Sequence, residues 1–306
     1  MSLPLVVLAA GLSTRYGRLK QLERLGPGGE AIMDYNVFDA MRAGFEEVAY
    51  VVRPEILAAV REHVTAIFGD TLRTRFVIQD LGRLPPGHRA PPDRRKPWGT
   101  AHAVLCAAEE LRGPIVACNA DDLYGPAAFA KLFEYLTQAS VDTEAALIGY
   151  PLRDTLAGGG GVARGLCHMG KDGLLEHVIE VREIRRSDAW IVGIEGDDTP
   201  IDLTGDELVS MNLWGLMPSM IEGIRRQFTA FLDLWGAHAG REFFLSSAVN
   251  GHIQTYSSRV RVLSARDSWL GITYAEDRER FQSILRERIA AGIYPPDLAD
   301  GLAARR

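Results

Sequence analysis

The sequence is poor in cysteine: Cys106, Cys118 and Cys167 are the three among 306 residues. They lie far apart without C-x-x-C spacing, which argues against a disulfide framework or a zinc site and indicates buried thiols in a reducing compartment. Long apolar runs are also absent, since none approaches the roughly 18 residues of a membrane span. The first predicted strand begins within a few residues of the N-terminus and leaves no room for a signal peptide. We therefore expect a cytoplasmic protein without a membrane partner.

Positive charge is scarce as well. The chain has 34 lysines and arginines against 40 aspartates and glutamates, a formal net charge of −6, which argues against nucleic acid as a partner. The basic cluster of Arg89, Arg94, Arg95 and Lys96 is local and interrupted by prolines. With 47 % hydrophobic and 24 % charged residues, the composition is that of a globular protein. The chain is long enough for one large domain or two small ones.

Strand-like and helix-like segments alternate in the first half of the chain. Strands are predicted over residues 3–8, 47–52, 74–79, 114–118 and 143–149, and helices over residues 33–43, 54–68, 99–111 and 126–139. Alternation at these lengths predicts an α/β fold, with a single Rossmann-like domain, a mostly parallel mixed sheet and helices on both faces.

The pattern changes after residue 151. Residues 157–165 are too rich in glycine for a regular element and predict a loop. Strands are predicted over residues 174–184, 189–195, 208–217 and 259–264, and helices over residues 218–235, 243–250 and 275–291. This half is expected to be an antiparallel-rich extension of the same sheet. We divide the chain into residues 1–150, residues 151–274 and a C-terminal helix and tail over residues 275–306.

The run over residues 8–22 is the most informative segment, and it reads Leu-Ala-Ala-Gly-Leu-Ser-Thr-Arg-Tyr-Gly-Arg-Leu-Lys-Gln-Leu. Small residues after a strand let backbone N–H groups approach an anion closely. Arg15 can bind phosphate bidentately, and Lys20 adds a mobile point charge. Gly11 and Gly17 fit neither the P-loop spacing nor the dinucleotide-binding fingerprint. The combination predicts a cradle for a triphosphate.

A second motif joins a strand end to a helix start. Gln79 ends the strand over residues 74–79, and Gly99 and Thr100 open the next helix. The Gln79 amide offers a donor and an acceptor, which suit the edge of uracil or thymine. Gly99 lets a planar base lie against the backbone, and Thr100 can cap the helix. The motif predicts a pyrimidine site.

Two carboxylates, Asp121 and Asp122, come directly after the strand over residues 114–118. In an open parallel sheet, ligands bind beyond the carboxyl ends of the strands. Adjacent carboxylates repel unless a cation lies between them or one is solvated, and Mg²⁺ is typically shared between one or two carboxylates and phosphate. The pair predicts a Mg²⁺ site, and the alternative is a helix N-cap pair before Pro126.

The run over residues 8–22 resembles the signature of the sugar-phosphate nucleotidyltransferases, Leu-Ala-x-Gly-x-[Gly/Ser]-Thr-Arg followed a few residues later by Lys. The resemblance covers most of the chain and is densest over residues 5–125. It implies a GT-A-type domain with the nucleotide bound by residues 1–150 and the sugar phosphate by residues 151–274. It also implies an enzyme that makes nucleotide sugars from a nucleoside triphosphate and a sugar 1-phosphate.

The resemblance also implies roles for individual residues. Arg15, Lys20 and Asp121 are the predicted catalytic residues, with Mg²⁺ held by Asp121. The residues predicted to bind substrate are Ala10, Gly11, Ser13, Thr14, Gln79, Gly99, Thr100, Glu180 and Asn212. Glu180 and Asn212 resemble the family's acidic and amide contacts to sugar hydroxyls. His102 is expected to lie on the helix surface or to pack, without a role as an acid.

The chain departs from the family pattern at one metal ligand. Many relatives carry aspartate, their second metal ligand, where this chain has Gly271. Asp267, Asp277 or Glu242 could replace it, or Asp121 is the only metal ligand from the protein. The sequence around Gly271 indicates a branch apart from the better-known ones, so the identity of the sugar is not carried over.

We expect the enzyme to transfer a nucleoside monophosphate from UTP or dTTP to a sugar 1-phosphate, with release of pyrophosphate, as UTP–glucose-1-phosphate uridylyltransferases do. One alternative is a CTP-dependent cytidylyltransferase for a polyol or choline phosphate, and Gln79 argues against it because cytosine reverses one donor. The other is a non-catalytic nucleotide-sugar-binding protein on the same fold. The expected partners are small-molecule substrates, and a homo-oligomer is compatible with the sequence.

The connection over residues 80–98 is long and lacks hydrophobic periodicity. It carries five cations, Arg83, Arg89, Arg94, Arg95 and Lys96, in an acidic protein. Loops of this length are usually functional or disordered. Because it joins Gln79 to Gly99, we predict a lid that orders over the bound triphosphate or sugar phosphate and excludes water.

Overall fold

The structure is a computed structural model, and it describes residues 3–11, 14–15, 18–138, 143–156, 160–187, 190–196, 198–272 and 277–303. Its strands are β1 (Pro4–Leu8), β2 (Thr14–Arg15), β3 (Arg18–Leu19), β4 (Glu47–Val52), β5 (Thr74–Ile78), β6 (Ile115–Asn119), β7 (Asp122–Leu123), β8 (Ala145–Pro151), β9 (Val162–Met169), β10 (Leu175–Ser187), β11 (Trp190–Glu195), β12 (Thr199–Leu203), β13 (Leu208–Leu216), β14 (Val260–Ser264) and β15 (Leu270–Gly271). Its helices are α1 (Ile32–Ala43), α2 (Leu57–Phe68), α3 (Thr100–Glu110), α4 (Pro126–Thr137), α5 (Pro218–Trp235), α6 (Leu245–Tyr256), α7 (Asp277–Ala290) and α8 (Leu298–Ala303).

One sheet runs through both halves of the chain. Its strands lie in the order β12-β11-β10-β9-β13-β6-β1-β4-β5, and β8 and β14 join it beside β13. β1 runs parallel to β4 and β6, β4 to β5, and β8 to β14. From β6 outward through β13 to β12, neighbouring strands are antiparallel. The predicted α/β fold with an antiparallel-rich extension is confirmed.

The parallel strands are buried on both faces. In β1, Leu5 and Val7 belong to one apolar cluster, which includes residues of α1 and α4, while Val6 belongs to a second cluster with residues of α3 and α5. Successive side chains of a strand point to opposite faces, so a strand covered on both sides reads as a continuous apolar run. This explains why the sequence predicts β1 so closely.

Strand β13 connects the two halves of the sheet. Its residues 214–216 pair with β6, and its residues 209–210 pair with β9. Along its partner β8 the register shifts between Ser210 and Trp214. Asn212 lies inside this shift and has φ +62°, a left-handed conformation that is uncommon for a residue other than glycine. This register shift places Asn212 beside Asn119, at the carboxyl end of β6.

Some predicted boundaries change. Residues 162–165, predicted as part of a glycine-rich loop, belong to β9, because they pair with residues 180–184 of β10. Residues 157–159 of the same prediction lie outside the described residues. Helix α6 ends at Tyr256 instead of residue 250, and α8 follows the last predicted helix. None of the described helices is both long and apolar enough to cross a bilayer.

The connection over residues 80–98 is anchored by a buried arginine. Arg94 is 1 % exposed, and its guanidinium donates hydrogen bonds to the carbonyl oxygens of His238 at 3.0 Å and Arg241 at 2.7 Å. The guanidinium carbon also lies 3.5 Å from the centroid of the Trp98 ring. The interpretation of Arg94 as a lid cation that faces a ligand is wrong, because its donors bind the protein's own carbonyl groups. That the rest of the connection orders over a bound substrate stays a prediction.

Replacing Arg94 by methionine is expected to lower the free energy of unfolding by about 2–4 kcal/mol, because charge-assisted hydrogen bonds to carbonyl groups are lost. The neighbouring Arg95 is exposed and provides the matched control. Arg95→Met should change the free energy of unfolding by less than about 0.5 kcal/mol. Urea denaturation of both variants measures the difference, and equal stability of the two would contradict the anchoring role of Arg94.

Candidate active site

Two cavities adjoin at the carboxyl edge of β1 and β6, where open α/β sheets bind ligands. The Gln79 cavity has a volume of about 360 Å³, and its lining includes Ala10, Gly11, Gln79, Lys96 and Gly99. The Asn212 cavity has a volume of about 500 Å³, and its lining includes Lys20, Arg164, Glu180, Ser210 and Asn212. Four residues line both cavities, namely Thr100, Asn119, Asp121 and Phe244.

The structure therefore brings together most of the predicted site residues around one junction. Thr14 and Arg15 form β2, but their side chains lie outside the described part of the structure, and Ser13 lies outside the described residues altogether. The roles of all three stay predictions. The residues predicted to bind the nucleotide come from the first half of the chain, and Glu180 and Asn212, predicted to bind the sugar, come from the second half. The two sets line adjoining cavities that share Asp121.

Gly99 shapes the Gln79 cavity through its backbone. It has φ +109°, and a Cβ atom at this position would lie 2.5 Å from the carbonyl oxygen of Phe243, so only glycine fits. The expectation that Thr100 caps α3 is wrong, because Gly99 is the N-cap residue of α3. The Thr100 hydroxyl instead accepts a hydrogen bond from the backbone N–H of Leu245 at 2.9 Å. Thr100 thereby connects the start of α6 to the site.

The Gln79 side chain is held in one orientation by His102. Nε2 of His102 lies 2.8 Å from the carbonyl oxygen of Arg83, which can only accept, so this nitrogen carries the proton. The Gln79 amide nitrogen can then donate both to Nδ1 of His102 at 3.3 Å and to the carbonyl oxygen of Gly99 at 2.9 Å. The amide oxygen is the remaining polar atom of Gln79. Burial lowers the pKa of His102 to about 4, which keeps it neutral and agrees with a packing role.

An ion pair lies at the junction of the two cavities. Nζ of Lys20 is 2.5 Å from Oδ2 of Asp121, although the two residues are 101 positions apart. The adjacent Gln21 fixes this segment, since its amide nitrogen donates to the carbonyl oxygen of Ala9 at 2.9 Å. The Asp121 side chain remains 35 % exposed. The Asp121 carboxylate thus lines both cavities, and the Lys20 cation lines the Asn212 cavity.

Asp122 differs from its neighbour in its surroundings. Burial, with a contribution from the nearby charge of Asp121, raises the pKa of Asp122 to about 7. Its Oδ2 accepts a hydrogen bond from the Asn119 amide at 2.8 Å. Its backbone carbonyl accepts another from the Asn36 amide at 2.6 Å. Asp122 thus belongs to a buried hydrogen-bond network, whereas Asp121 presents its carboxylate to the cavities.

A chain of amides extends from this network to the Asn212 cavity. Asn212 Nδ2 donates to Asn119 Oδ1 at 2.6 Å, and Asn212 Oδ1 accepts from the Trp214 indole at 3.2 Å. These contacts orient Asn212 and account for its left-handed backbone, since strained residues persist where the surroundings fix them. Sequence reasoning missed Asn119, although it occupies the last position of β6, two residues before Asp121.

Arg164 is the second residue that sequence reasoning missed. Its guanidinium donates to the Thr155 hydroxyl at 3.1 Å and to the carbonyl oxygen of Ala163 at 2.8 Å, and it lies 5.1 Å from the centroid of the Trp269 ring. Burial lowers the pKa of Arg164, and the charge of Asp122 opposes this effect. Within the described residues, no carboxylate forms an ion pair with Arg164. A half-buried cation thus faces the Asn212 cavity without a direct counter-ion.

The residues considered for the second metal ligand differ in their contacts. Gly271 pairs with Asp122 through β15 and β7. Asp267 accepts hydrogen bonds from the first backbone N–H groups of α4, at 2.5 and 3.2 Å, so its carboxylate is engaged with the N-terminus of that helix. Glu242 lines the Gln79 cavity and forms a 3.2 Å ion pair with Lys96. In the described part of the chain, no group of three or more His, Cys, Asp or Glu side chains could hold a metal ion.

No protein-family model matches the sequence. Among curated proteins, the bifunctional protein GlmU of Hyphomonas neptunium is 30 % identical over 185 residues, which cover 58 % of this chain and 33 % of GlmU. The chain thus spans about a third of the length of this relative.

Solved structures share the fold over nearly the whole chain. The inositol-1-phosphate CTP transferase from T. maritima has a TM-score of 0.61 at 13 % identity, covering 94 % of this chain and 97 % of the other. HddC from Yersinia pseudotuberculosis, complexed with GMP-PN, has a TM-score of 0.57 at 13 % identity, covering 92 % and 99 %. At this identity the likeness establishes the fold alone.

The sequence and fold comparisons point to the same class of protein. The GlmU similarity in sequence and the transferase structures in fold agree with the signature over residues 8–22. The comparisons therefore confirm the resemblance of this chain to the nucleotidyltransferases of the NTP-transferase type.

Proposed function

We propose that this protein is an enzyme that transfers a nucleoside monophosphate from UTP or dTTP to a sugar 1-phosphate, forming a nucleotide sugar and pyrophosphate. The observation that carries the proposal is the meeting of the two cavities at the Lys20–Asp121 ion pair. A triphosphate in one cavity and a phosphorylated acceptor in the other would bring the reacting groups together at this point. Such positioning supplies a large part of the rate enhancement in group transfer.

The Gln79 cavity is suited to the nucleotide. The Gln79 amide nitrogen is engaged by Gly99 and His102, so its amide oxygen would accept a hydrogen bond from the N3–H of uracil or thymine. Gly99 would let the base lie close to the backbone, and Ala10 and Gly11 lead toward the triphosphate cradle. In this assignment Arg15 holds the departing pyrophosphate, as the sequence motif predicts.

The Asn212 cavity is suited to the phosphorylated acceptor. Glu180 and Asn212 supply an acidic and an amide group for sugar hydroxyls, as predicted. A phosphate dianion beside Asp121 and Asp122 needs a compensating cation, and the half-buried Arg164 is one that Thr155 and Ala163 hold in this lining. We assign Arg164 to the phosphate of the acceptor.

The reaction follows from this arrangement. An oxygen of the acceptor phosphate attacks the α-phosphorus, a new P–O bond forms, and the bond to the β-phosphate breaks with its electron pair leaving on pyrophosphate. The acceptor phosphate is already a nucleophile near neutral pH, so no general base is required. Lys20 offsets the negative charge that builds up on the α-phosphoryl group, which is the kind of stabilisation that dominates phosphoryl transfer.

Asp121 fits a magnesium ion. Its carboxylate is accessible at the junction of the cavities, and Mg²⁺ commonly takes one or two carboxylates together with phosphate oxygens and water. A single protein carboxylate agrees with the absence of a larger donor cluster in the described residues. Bound there, Mg²⁺ would neutralise charge on the phosphate oxygens of both substrates. Oδ2 of Asp121 contacts Lys20, but Asp121 lines both cavities. Asp122 is second choice, because it lines one cavity and its Oδ2 accepts a hydrogen bond from Asn119.

A second candidate is transfer from CTP to an alcohol phosphate. It is favoured by one observation: the T. maritima structure with this fold is an inositol-1-phosphate CTP transferase. The orientation of the Gln79 amide opposes it, because cytosine presents an acceptor at N3 where uracil presents a donor.

Pyrophosphate release tests the proposal. The purified chain with Mg²⁺ is assayed with UTP, dTTP, CTP, GTP and ATP against a panel of sugar 1-phosphates, inositol phosphate and choline phosphate. We expect turnover with UTP or dTTP and a sugar 1-phosphate. Turnover with CTP and an alcohol phosphate would favour the second candidate, and binding of nucleotide sugars without any turnover would identify a non-catalytic protein.

Asp121→Asn is expected to lower kcat by roughly 10²–10³, because a principal electrostatic stabiliser is lost. Asp122→Asn, the same change one residue later, should lower kcat by a smaller factor. The pyrophosphate assay at saturating Mg²⁺ gives both rates, and circular dichroism confirms that the variants fold. Wild-type activity of Asp121→Asn would refute the assignment of the metal.

Gln79→Ala is expected to weaken discrimination among nucleoside triphosphates by about 0.5–1.5 kcal/mol, since one hydrogen bond to the base is lost. The ratio of kcat/KM for UTP or dTTP to that for CTP reports this discrimination. A matched loss of kcat/KM for every nucleotide, with an unchanged ratio, would place base selection elsewhere.

Arg164→Met is expected to raise KM for the acceptor roughly 10–100-fold, because a charge-assisted contact to phosphate is lost, while KM for the nucleotide stays near the wild-type value. Arg182→Met removes the same charge from an exposed site on β10 and serves as the control. Equal KM values for the acceptor in the two variants would remove Arg164 from the acceptor site.

A further inference from the structure

A third cavity, which shares Trp269 with the Asn212 cavity, has a volume of about 780 Å³. The arginine cleft, as we call it, lies between the connection after β8, the end of β10 and helix α7. Its lining contains five arginines, Arg153, Arg185, Arg186, Arg280 and Arg288. The carboxylates in the lining are Asp154 and Glu287, so positive charge is in excess by three in a chain of net charge −6.

Much of this charge is not neutralised by the protein. Arg153 pairs with Asp206, and Arg288 donates to the carbonyl oxygen of Ser268 at 3.2 Å. Arg185 and Arg280 are exposed, and neither forms an ion pair with a carboxylate in the ranges that the structure describes. Because like charges repel, their convergence from two different elements favours an anion between them. Guanidinium groups bind phosphate in a fixed, often bidentate geometry.

One wall of the arginine cleft is apolar. Leu156 and Leu270 line it, as do Ile284, Ile293 and Trp269. A bare inorganic anion would use the arginines and leave this wall in contact with water. A ligand that combines phosphate groups with a flat apolar ring would use both surfaces. The volume of the cleft is in the range of small-molecule sites, which span about 300–1,000 Å³.

We propose that the arginine cleft is a second ligand site, which binds a phosphorylated compound carrying an aromatic ring, of the class of nucleoside diphosphates. The phosphates contact Arg185, Arg186 and Arg280, and the ring lies against the apolar wall. This site does not depend on the proposed reaction, since its arginines line neither the Gln79 cavity nor the Asn212 cavity.

Isothermal titration calorimetry with UDP tests the site on the full chain. We compare the wild type with Arg185→Ala/Arg186→Ala and with Arg225→Ala/Arg226→Ala, which removes two adjacent arginines from α5. We expect a UDP-binding event that the Arg185/Arg186 variant loses or weakens at least about tenfold and that the control retains. Arg280→Ala, on a different element, should weaken the same event. Melting temperatures establish that all variants are folded.

Several outcomes would overturn the proposal. Absence of UDP binding, identical titrations of the wild type and the Arg185/Arg186 variant, or equal weakening in the α5 control each contradict a specific site in the arginine cleft. Inorganic pyrophosphate serves as a second probe at the same site. Binding of UDP more tightly than pyrophosphate supports the role of the apolar wall, and equal affinities overturn the assignment of an aromatic ligand.

Discussion

The candidate site depends on the balance between negative and positive charge just after the end of strand β6. Asp121 and Asp122 are adjacent, and the proposed substrates would add phosphate groups to the same place. The ion pair of Lys20 with Asp121 and the burial of Asp122, whose pKa is raised to about 7, both reduce the negative charge there. Arg164 supplies a further cation from the second half of the chain. Under the proposed function, cations placed around a small acidic centre would allow the site to hold polyphosphate.

The backbone that carries these groups is fixed by pairing between distant segments. Asn119 ends a parallel strand of the first half, and Asn212 lies in an antiparallel strand of the second half, yet their amides are 2.6 Å apart. The left-handed Asn212 costs on the order of 1–3 kcal/mol of backbone strain. The surrounding pairs of β13 with β6, β8 and β9 compensate for it. The strained backbone therefore orients the Asn212 amide at the Asn212 cavity.

The sequence predicts those parts of the protein that depend on local pattern. β1 reads as an apolar run, and Asp121 and Gly99 stand where strands end and helices begin, so the fold and many residues of the candidate site could be predicted. Asn119 and Arg164 could not, because Asn119 is singled out by its contact with Asn212 and Arg164 by its place in the cavity lining, which no local pattern reveals. Arg94 was misinterpreted for the same reason: a cation among prolines resembles a mobile surface residue, and only tertiary packing reveals that carbonyl groups surround it.

Strand β13 has a mechanical consequence for the two cavities. It is hydrogen-bonded to β6 in the first half of the sheet and to β9 in the second half, so the described strands join the two halves without a break. The distance between the two binding positions is set by a stiff common wall instead of by rotation of domains. Any closure over the cavities must come from segments outside the sheet. Under the proposed function, the alignment of the two substrates would then be built into the unliganded protein.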